Sequence, residues 1–524
     1  MSNLTTGFVD LATYDELEKH MYGGNDSIAY FVRETRKATW FTLVPTLLSK
    51  SAGVTNFGNT FTADITRAGD YLLHTWLRAT VPNIAINNNS AQEYYCCWTP
   101  NLGHNLIKEC ELTFNDLVAA RFDNYHLDFW NSFTLEASKK VGYNNMIGNI
   151  AGLTAPTETH DAHTLNIPLP FFFSRDSGVA LPTAALPYNQ MKIKFTLREW
   201  HELLSVFYLP LGRNPIETQH ISARIGSNNG NIQQEPRLTN VQVWGNYALV
   251  SNDERKKMAC APRDILIEQV QSSGVTGFTP RVNPKATFDI HFAHAIKALF
   301  FAVRNTTVPS IWSNYTTKSG KVLGNANLIF NGGDPIGNTS ITYENTKRIS
   351  NMTSDFFSLV APYFMAPSIP EVTGYHFYSY GLDLMSLDPV GSTNFGKLSN
   401  INIAPNASLE AIKAANVASV NPVSTALTSD LLADGTTANV VSTTGFTTTG
   451  TIKIGSEIIT YSGRTSTSFN NLIRASPSIW NSSAGVVQSD QNITDYSQTF
   501  DFIITGINYN IIRVSGGSLG FPVL

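Results

Sequence analysis

Apolar and polar side chains alternate with a period of two residues along most of this chain, and this alternation limits the fold more than any other feature. In the segment 60–66 the apolar members are Phe61, Ala63 and Ile65. Successive side chains of a β-strand point to opposite faces, so such segments predict strands with one buried face. The other segments with this pattern are Tyr71 to Val81, Leu106 to Phe114, Met191 to Leu197, Asn240 to Val250, Ile265 to Gln271, Thr287 to Phe292, Ile296 to Arg304, Tyr375 to Met385 and Leu398 to Ile403.

Two strands carry more detailed predictions. In the segment 71–81 we expect one face to hold Tyr71, Leu73, Leu77, Ala79 and Val81. The last strand changes the parity of its apolar residues at Gly506. A one-residue slip at a glycine is typical of a β-bulge, so we predict a bulge there.

Helical spacing is rare in this sequence. The best candidate is Asp116 to Phe133, where apolar side chains recur every three or four residues. Shorter helices are predicted near Tyr14 to Met21 and in the Ala-rich segment 406–419. Many short strands, long polar connections and few helices favour an all-β chain, either a β-sandwich or a jelly roll.

A dense group of charged residues at 251–263 separates two β-rich halves. We interpret 255–264 as a linker between a first domain, 28–254, and a second domain, 265–524, with residues 1–27 as a polar N-terminal segment. Each half has about the size of one all-β domain. Both halves carry a Pro- and Phe-rich bend, Pro168 to Phe173 and Phe356 to Phe364. This favours two copies of one fold, although no sequence repeat proves it.

Residues 405–497 differ from the rest in being rich in Thr, Ser and Gly. Within them, Thr451 to Ile454 and Glu457 to Tyr461 flank the pair Gly455-Ser456, which is typical of a tight hairpin. A connection of this length normally carries structure of its own. We therefore predict an inserted β module at 405–497.

Composition and local patterns argue against several classes of protein. Only 15% of residues are charged and the net charge is −4, which disfavours a protein that coats nucleic acid. The first ten residues lack the pattern of a secretory signal. The longest apolar run, 356–370, contains Pro362 and Pro367 and is too short to cross a membrane. We expect a soluble chain made in the cytoplasm, with reduced cysteines at 96, 97, 110 and 260.

Signatures of catalysis and metal binding are weak. His160, Asp161 and His163 have metal-like spacing, but one loop supplies only part of a zinc site. The segment 516–520 has the spacing of a nucleophile elbow, yet no helix can follow it, and we interpret it as a flexible tail. We predict no catalytic, cofactor-binding or metal-binding residues, and no cofactor. A glycosidase stays open at this point, because its two carboxylates meet only in the fold.

Ten longer strings carry more information than composition does. They are Gly7 to Tyr14, Met21 to Gly24, Tyr143 to Asn149, Pro168 to Gly178, Ala180 to Pro182, Leu186 to Tyr188, Ile267 to Gln271, Tyr378 to Tyr380, Gly391 to Gly396 and Asn510 to Pro522. These strings resemble the major capsid protein family of the nucleocytoplasmic large DNA viruses, most closely the iridovirus type. They cover most of the chain, and the insertion 405–497 is the main part without a match.

The resemblance implies a double jelly roll, two eight-stranded β-sandwiches in tandem. Together with the residue patterns above, this predicts an all-β chain with few short helices and a small β insertion near the C-terminus. It implies a structural major capsid protein that is not an enzyme. Three chains would form a homotrimer, a pseudo-hexagonal capsomer. Many capsomers would tile an icosahedral shell over an internal membrane that encloses a large double-stranded DNA genome.

The same resemblance implies partners and a location. The partners would be neighbouring capsomers, minor capsid proteins and penton proteins, without direct contact to nucleic acid. The protein would belong to the virion capsid and would be assembled in the host cytoplasm. The insertion 405–497 would project from the outer surface of the virion.

The N-terminal segment 1–27 would fasten neighbours beneath the shell and contact the internal membrane; the plain alternative is a disordered terminus. The alternative function is a carbohydrate-binding or glycosidase jelly-roll protein. A third interpretation is a minor capsid or spike protein with the same fold.

Overall fold

The structure, a computed structural model, describes residues 2–33, 35–88, 92–210, 219–260, 262–320, 332–416, 424–444, 446, 448–488 and 497–521. In the described part of the first half there are thirteen strands. They are β1 (Phe41–Gly53), β2 (Thr60–Asp64), β3 (Tyr71–Val81), β4 (Ile84–Ala85), β5 (Gln92–Trp98), β6 (Ile107–Phe114), β7 (Leu117–Asp123), β8 (Thr159–His160), β9 (His163–Leu169), β10 (Met191–Leu197), β11 (Leu204–Pro210), β12 (Gln219–Ser222) and β13 (Thr239–Val250).

The second half contains the remaining strands. They are β14 (Arg263–Phe278), β15 (Phe288–Asp289), β16 (Ala295–Asn305), β17 (Ile336–Tyr343), β18 (Thr346–Thr353), β19 (His376–Ser379), β20 (Thr393–Asn394), β21 (Ile401–Ala407), β22 (Ser424–Ala426), β23 (Thr437–Asn439), β24 (Gly450–Ile454), β25 (Glu457–Tyr461), β26 (Gly463–Arg464), β27 (Ser468–Asn470), β28 (Ile473–Arg474), β29 (Gly485–Gln488), β30 (Phe500–Ser515) and β31 (Ser518–Gly520).

The helices are short and lie mostly in the connections between strands. They are α1 (Ser2–Ala12), α2 (Glu16–Met21), α3 (Leu102–Leu106), α4 (Asn124–Thr134), α5 (Lys140–Ile147), α6 (Ala151–Thr154), α7 (Trp200–Leu203), α8 (Asn252–Cys260), α9 (Ala361–Met365), which continues a π-helical segment Phe356–Val360, and α10 (Leu409–Asn416). The predicted helix near Tyr14 is α2, which begins in a capping box of Asp15 and Glu18. The charged segment after β13 forms α8.

Two four-stranded sheets form the sandwich of the first half, in the orders β1-β13-β3-β9 and β2-β10-β6-β7. The long β1 belongs to both sheets, because residues 41–48 pair with β13 and residues 49–53 pair with β2. In the second half the sheets have the orders β14-β30-β16-β19 and β15-β21-β17-β18.

The two sandwiches have the same topology. The eight sandwich strands of each roll can be numbered 1 to 8 in chain order. In each roll one sheet then has the order 1-8-3-6 and the other has the order 2-7-4-5. This is the strand order of a jelly roll. The chain is therefore an all-β double jelly roll, as the resemblance implied.

The Pro- and Phe-rich bends are a poor guide to this repeat, since Pro168 to Phe173 follows the sixth strand and Phe356 to Phe364 follows the fifth.

Four clusters of buried side chains form the cores. One fills the first roll, one fills the second, and a third, containing Phe129, Phe133 and Phe300, lies between the two rolls. The first core also takes residues from β14, β30 and β31, including Ile265, Ile512 and Leu519, so the last hairpin helps to close the first roll. The fourth core belongs to residues 427–486 alone.

The inserted module has two small sheets around this fourth core, in the orders β22-β29-β24-β25-β28 and β23-β27-β26. The predicted hairpin is confirmed, because Ile454 pairs with Glu457 across Gly455 and Ser456. Gly455 has φ 56°, the left-handed conformation that this two-residue turn needs.

The predicted face of β3 is wrong at its beginning. Leu72 is buried, while Tyr71 and Leu73 are half-buried; the predicted residues from Leu77 onward are buried. The pairing of β3 with β13 shifts between Asn246 and Tyr247. This irregularity moves the buried face by one residue.

The predicted helix 116–133 is wrong in its first half, which is strand β7. Asn115 and Asp116 both have positive φ, 48° and 66°, as a type I′ hairpin turn between β6 and β7 requires. Asp123 then begins α4, since its side chain accepts the backbone N–H of His126 at 2.9 Å. The apparent helical spacing therefore combined residues of strand β7 with residues of helix α4.

The predicted bulge at Gly506 is also wrong. β30 has no register shift at that residue; its two neighbours carry the shifts, at 272–275 in β14 and at 296–298 in β16. Apolar residues of both parities occur in β30 because both of its faces are buried, Ile504 in the second core and Ile503 between the rolls. Glycine is needed at 506 because a Cβ there would come within 2.9 Å of the Phe292 ring.

The segment 516–520 is not a flexible tail. Gly516 and Gly517 have φ 60° and 80° and form the turn between β30 and β31. Leu519 is buried, and its N–H donates to Asn189 Oδ1 at 2.8 Å. The serine of the apparent nucleophile motif is therefore part of a hairpin.

Candidate assembly surfaces

The residues with metal-like spacing do not converge. The two ring nitrogens of buried His160 lie 2.9 and 2.7 Å from the carbonyl oxygens of Gly152 and Cys96. His163 Nε2 lies 3.0 Å from the carbonyl oxygen of Asn145. Across the residues that the structure describes, no group of three His, Cys, Asp or Glu side chains is placed to hold a metal ion.

The cysteines that can be described are buried free thiols. Burial raises the pKa of Cys96 and of Cys97 to about 12, and it raises the pKa of Cys110 well above the ordinary value of a thiol. A thiol with a raised pKa is a poor nucleophile, because the thiolate is the reactive form. Cys96 and Cys110 act as small apolar groups in the first core.

A buried cluster of aromatic and apolar side chains joins the two rolls. Helix α4 leaves the first roll and lies on the outer face of the second. The ring centroids of Phe129 and Phe133 lie 6.0 and 5.5 Å from that of Phe300 in β16. Phe133 also lies 5.4 Å from Phe377, which faces Phe300 on the neighbouring strand β19. The α4 aromatic rings thus cover the sheet β14-β30-β16-β19.

Trp312 also joins the two rolls, as a residue of the second half that contacts the first roll. It lies in the connection after β16, and its ring is flanked by Arg198 of the first roll and Arg304 of the second, with guanidinium carbons 3.4 and 3.7 Å from the ring centroid. Its indole N–H donates to the carbonyl oxygen of Glu202 in the first roll at 2.8 Å. Cations on both faces of one indole join the two rolls through directed contacts.

A buried carboxylate collects donors from both rolls. Asp128 of α4 accepts from Ser313 Oγ at 2.6 Å and from the Tyr315 hydroxyl at 3.0 Å, both in the second half of the chain. Its other oxygen lies 2.7 Å from Nδ1 of His104 in the first roll. Burial, with Asp128 close by, raises the pKa of Tyr315 well above its ordinary value, so the phenol stays a donor.

A buried ion cluster completes the contact. Glu268 of β14 accepts from Lys297 Nζ at 2.6 Å and pairs with Arg175 of the first roll at 2.7 Å. Burial lowers the pKa of Lys297 and of Arg175, and the Glu268 carboxylate opposes this shift at both. Arg175 also lies over the ring of Trp130 in α4, 4.3 Å from its centroid.

The second roll has a helical segment at the same place in its topology as α4, between the fifth and sixth strands. Phe357 is buried in the second core, and Ala361 is buried in the cluster between the rolls. Tyr363 and Phe364, by contrast, are 69% and 72% exposed, and Leu359 is about half exposed. A large apolar surface of this kind marks a site of protein contact.

The first roll has an aromatic sheet face that corresponds to the face covered by α4 in the second roll. On the outer side of β1-β13-β3-β9 the rings of Trp76 and Trp244 stack with centroids 6.2 Å apart, and Leu47 and Pro168 continue the row on the neighbouring strands. A cleft of about 370 Å³ opens beside Trp76, between this face and α4 and α5. Leu47 is 45% exposed and Trp76 and Trp244 are half-buried, whereas Phe300 and Phe377 are completely buried under α4.

Sequence reasoning missed these surfaces, although two signals were present. Lys297 stands alone in the apolar strand segment 295–303, and a lone charge in a buried strand indicates a buried partner. Trp312 stands in a polar connection, where an aromatic residue indicates a contact made elsewhere in the fold. Lys297 pairs with Glu268 on another strand, and Trp312 donates to the carbonyl oxygen of Glu202, 110 residues earlier in the chain. Local sequence patterns therefore do not identify these partners.

No helix within the described part of the chain has the length and apolar character needed to span a membrane. The candidate run at 356–370 contributes instead to the π-helical segment and α9.

Two family models match consecutive parts of the chain. The family described as "Large eukaryotic DNA virus major capsid protein" matches residues 254–444, and "Major capsid protein N-terminus" matches residues 29–250. The major capsid protein of Costelytra zealandica iridescent virus is 47% identical over 531 residues, covering 100% of this chain and 99% of the relative. That of Simulium iridescent virus is 54% identical over 422 residues, covering 79% of this chain and 88% of the relative.

Among solved structures, a quasi-atomic model of the PBCV-1 virus capsid superposes with a TM-score of 0.64 and 18% sequence identity, covering 95% of this chain and 100% of the other. At that identity the likeness concerns the fold, and it agrees with the two jelly rolls described above.

Proposed function

The chain belongs to the major capsid protein family of large eukaryotic DNA viruses, with the iridovirus proteins as its relatives, and from this premise we propose how it builds a shell. Its function is structural: it is a component of the virion capsid that associates with itself and with neighbouring capsid proteins, and it is not an enzyme. The alternative of a carbohydrate-binding or glycosidase protein is not supported, because the relatives are named major capsid proteins.

The proposed building block is a homotrimer, a pseudo-hexagonal capsomer that tiles an icosahedral shell. The observation that carries this proposal is the repeated topology: one chain supplies two jelly rolls of the same strand order in contact with each other. Three chains would supply six similar blocks. Closed cyclic symmetry is the usual way in which identical chains bury complementary surfaces.

Light scattering on the purified chain tests this proposal. A single species at three times the 57.5 kDa chain mass is expected. A well-folded monomer at micromolar concentration would contradict the homotrimer while leaving the fold unchanged.

We also propose the division of the chain into segment 1–27, a first roll at 28–254, a linker at 255–264 and a second roll at 265–524 with the module 405–497. Strands β14 and β30 extend from the second roll to the core of the first. Residue 264 lies in this paired part of β14, opposite Arg513 of β30. Limited proteolysis should therefore not cut at residue 264, although it lies between the rolls. Early cleavage there would contradict this view of the linker.

The N-terminal segment is proposed to fasten neighbours beneath the shell and to contact the internal membrane. Leu4, Phe8 and Leu11 recur at helical spacing in α1, and all three are exposed. Flotation with phosphatidylcholine vesicles, compared between the full chain and one lacking residues 1–27, tests the membrane contact: equal flotation would exclude it.

Minor capsid and penton proteins are the other proposed partners, and assembly is proposed to occur in the host cytoplasm.

The module is proposed to project from the outer surface, and no surface of the shell protein is proposed to bind nucleic acid directly. The module replaces the connection between the seventh and eighth strands of the second roll. In the first roll the same connection carries β11, which pairs with β5 from the connection between the third and fourth strands. Protease treatment of intact particles should cut 405–497 first; protection of this segment would contradict the outward placement.

A further inference from the structure

We propose that the segment 356–365 of one copy docks on the first jelly roll of a second copy, with Tyr363 and Phe364 against Trp76 and its cleft. This inference rests on the homotrimer proposed above and names the two surfaces that form it. It follows from a contact that one chain already makes with itself.

The contact within the chain shows how a helix of one roll meets the sheet of the next. Helix α4 lies between the fifth and sixth strands of the first roll. Its Phe129 and Phe133 are completely buried on Phe300 and Phe377, on the outer face of the second roll's 1-8-3-6 sheet. Aromatic rings from one helix therefore fill the surface of the neighbouring sheet.

The segment 356–365 is the topological counterpart of α4 in the second roll. Phe357 fixes one side of it in the second core and Ala361 in the cluster between the rolls, whereas Leu359, Tyr363 and Phe364 are exposed. The rings of Tyr363 and Phe364 touch edge to face, with centroids 5.0 Å apart. Asp355 is the only charged residue between 354 and 370, so this surface is almost purely apolar.

The outer face of the first roll's 1-8-3-6 sheet is the counterpart of the surface under α4. Trp76 and Trp244 occupy its middle strands, as Phe300 and Thr505 do in the second roll. The cleft beside Trp76 is lined by apolar groups that include Leu135, Met146 and Pro168. Its size of about 370 Å³ suits aromatic side chains rather than a single solvent molecule.

The occupant must come from another copy of the chain. In the described residues the second roll's sheet is covered by α4 of the same chain, while Leu47 on the first roll's sheet and Tyr363 and Phe364 of the segment 356–365 are exposed. One copy thus presents a donor on its second roll and an acceptor on its first. A contact between different surfaces of identical chains is heterologous, and it closes as a ring when the rotation allows.

The first test replaces the donor. The double variant Tyr363→Asp with Phe364→Asp places two carboxylates on a surface that is exposed in the single chain, so the monomer should fold. Its matched control is Ile473→Asp with Ile479→Asp, two exposed apolar residues of the module. We expect the control to have the mass of the wild type, and the donor variant to associate about 100-fold more weakly or worse.

The outcomes separate this inference from the proposed homotrimer. A monomeric wild-type protein would refute the homotrimer and with it the docking. A trimeric wild type together with a folded, trimeric donor variant would refute only the docking. A donor variant that stays trimeric but loses binding to phosphatidylcholine vesicles would assign the segment to lipid and would also overturn the proposal.

A second test does not depend on a destabilised interface. His74 is exposed beside Trp76 on β3, so a chain carrying His74→Cys and Tyr363→Cys should form covalent trimers with a short thiol cross-linker. Chains with either change alone should not cross-link to themselves, and a mixture of the two should give linked pairs. Cross-linking of Tyr363→Cys chains to each other would mean that like surfaces meet, which would overturn the heterologous contact.

Discussion

Glu268 is the residue on which the contact between the rolls depends most. It is the counter-charge of both Lys297 and Arg175, and all three side chains are largely buried. Replacement by Gln keeps the shape and leaves two buried cations without an anion. We expect Glu268→Gln to lower the free energy of unfolding by about 3–5 kcal/mol.

Urea unfolding, followed by tryptophan fluorescence, measures this loss. The matched control is Asp264→Asn on the same strand, since Asp264 pairs with Arg513 at an exposed site. A surface ion pair contributes little, so the control should stay close to the wild type. Equal losses in the two variants would contradict a special role for the buried cluster.

His126 gives the molecule a dependence on pH. Its ring is packed among Phe122, Trp130 and Phe300. Burial, with Arg175 close by, lowers its pKa to about 3. In the unfolded chain this imidazole has its ordinary pKa of about 6.5, so between pH 6.5 and 3 it binds a proton that the native imidazole does not bind. The stabilising contribution of the neutral ring is therefore complete above pH 6.5 and is lost progressively as the pH falls toward 3.

We expect His126→Phe to reduce this acid sensitivity. Between pH 4 and 6 the slope of unfolding free energy against pH should become shallower by up to about 1.4 kcal/mol per pH unit. Urea unfolding at several pH values measures the slope, and His201→Gln, at an exposed histidine, is the control. An unchanged slope in His126→Phe would show that other groups carry the acid response.

At this scale the sequence predicted buried strand faces but not the polar contacts. The alternation at Phe61 and Ala63 predicts their burial from neighbouring residues alone. Glu268, by contrast, finds Arg175 and Lys297 through the fold, and no local pattern encodes that meeting.

Among the elements, the inserted module is the most self-contained. Its core includes Ile452, Phe469 and Val486 and takes no residue from either roll. Glu457 and Arg474 form a buried ion pair within it. Its two ends lie together, because the N–H of Gln498 donates to the carbonyl oxygen of Ala414 at 3.1 Å.

We expect replacement of residues 417–496 by a short Gly-Ser linker to leave the rolls folded. Closing a short loop where the ends already meet costs little. The measurement is the melting temperature, which should change by no more than about 4 °C. A longer deletion that also removes α10 is the control, since Ala414 and Glu410 of that helix contact the second roll and its connections, and it should destabilise strongly. Equal damage from both deletions would contradict independence of the module.

Element prediction succeeded where one local signal decides the structure. The hairpin at Gly455 needs only its turn residues and its two flanking strands. The segment 116–133 failed because Asn115 and Asp116 set a turn, and the aromatic residues that follow are buried by different partners. The bulge at Gly506 failed because β30 is buried on both faces, which the sequence of one strand cannot distinguish from a slip.

For the whole molecule, the contact between the rolls is a core rather than a loose interface. It combines the α4 aromatic rings, the Asp128 hydrogen bonds and Trp312 between two arginines. We expect the two rolls to unfold in one calorimetric transition, because neither can open without exposing this surface.

Trp312→Ala removes a side chain that contacts both rolls. We expect it to lower the melting temperature of the rolls by several degrees or to divide their single transition into two. Trp480→Ala, in the module, is the matched control, and it should leave the transition of the rolls in place. Two well-separated transitions in the wild-type protein would contradict the single unit.

The resemblance predicted the double jelly roll, whereas the residue patterns alone reached two β-rich halves, each a sandwich or jelly roll, on either side of a charged segment. The contributions of β30 and β31 to the first core were not predicted. They depend on long strands that cross from one roll to the other, which only the register of the sheets reveals.

The last hairpin has a consequence for how the protein is made. Ile512, Val514 and Leu519 seal the core of the first roll, although the final strand of that roll ends at Val250. A ribosome releases residues in order, so the first sandwich stays incomplete while more than half of the chain is still being synthesised. Both rolls therefore wait for β30, the second for residues up to Ile504 and the first for residues from Ile512 onward. A chain truncated shortly before residue 512 would keep the β30 residues of the second core, but its first roll could not close.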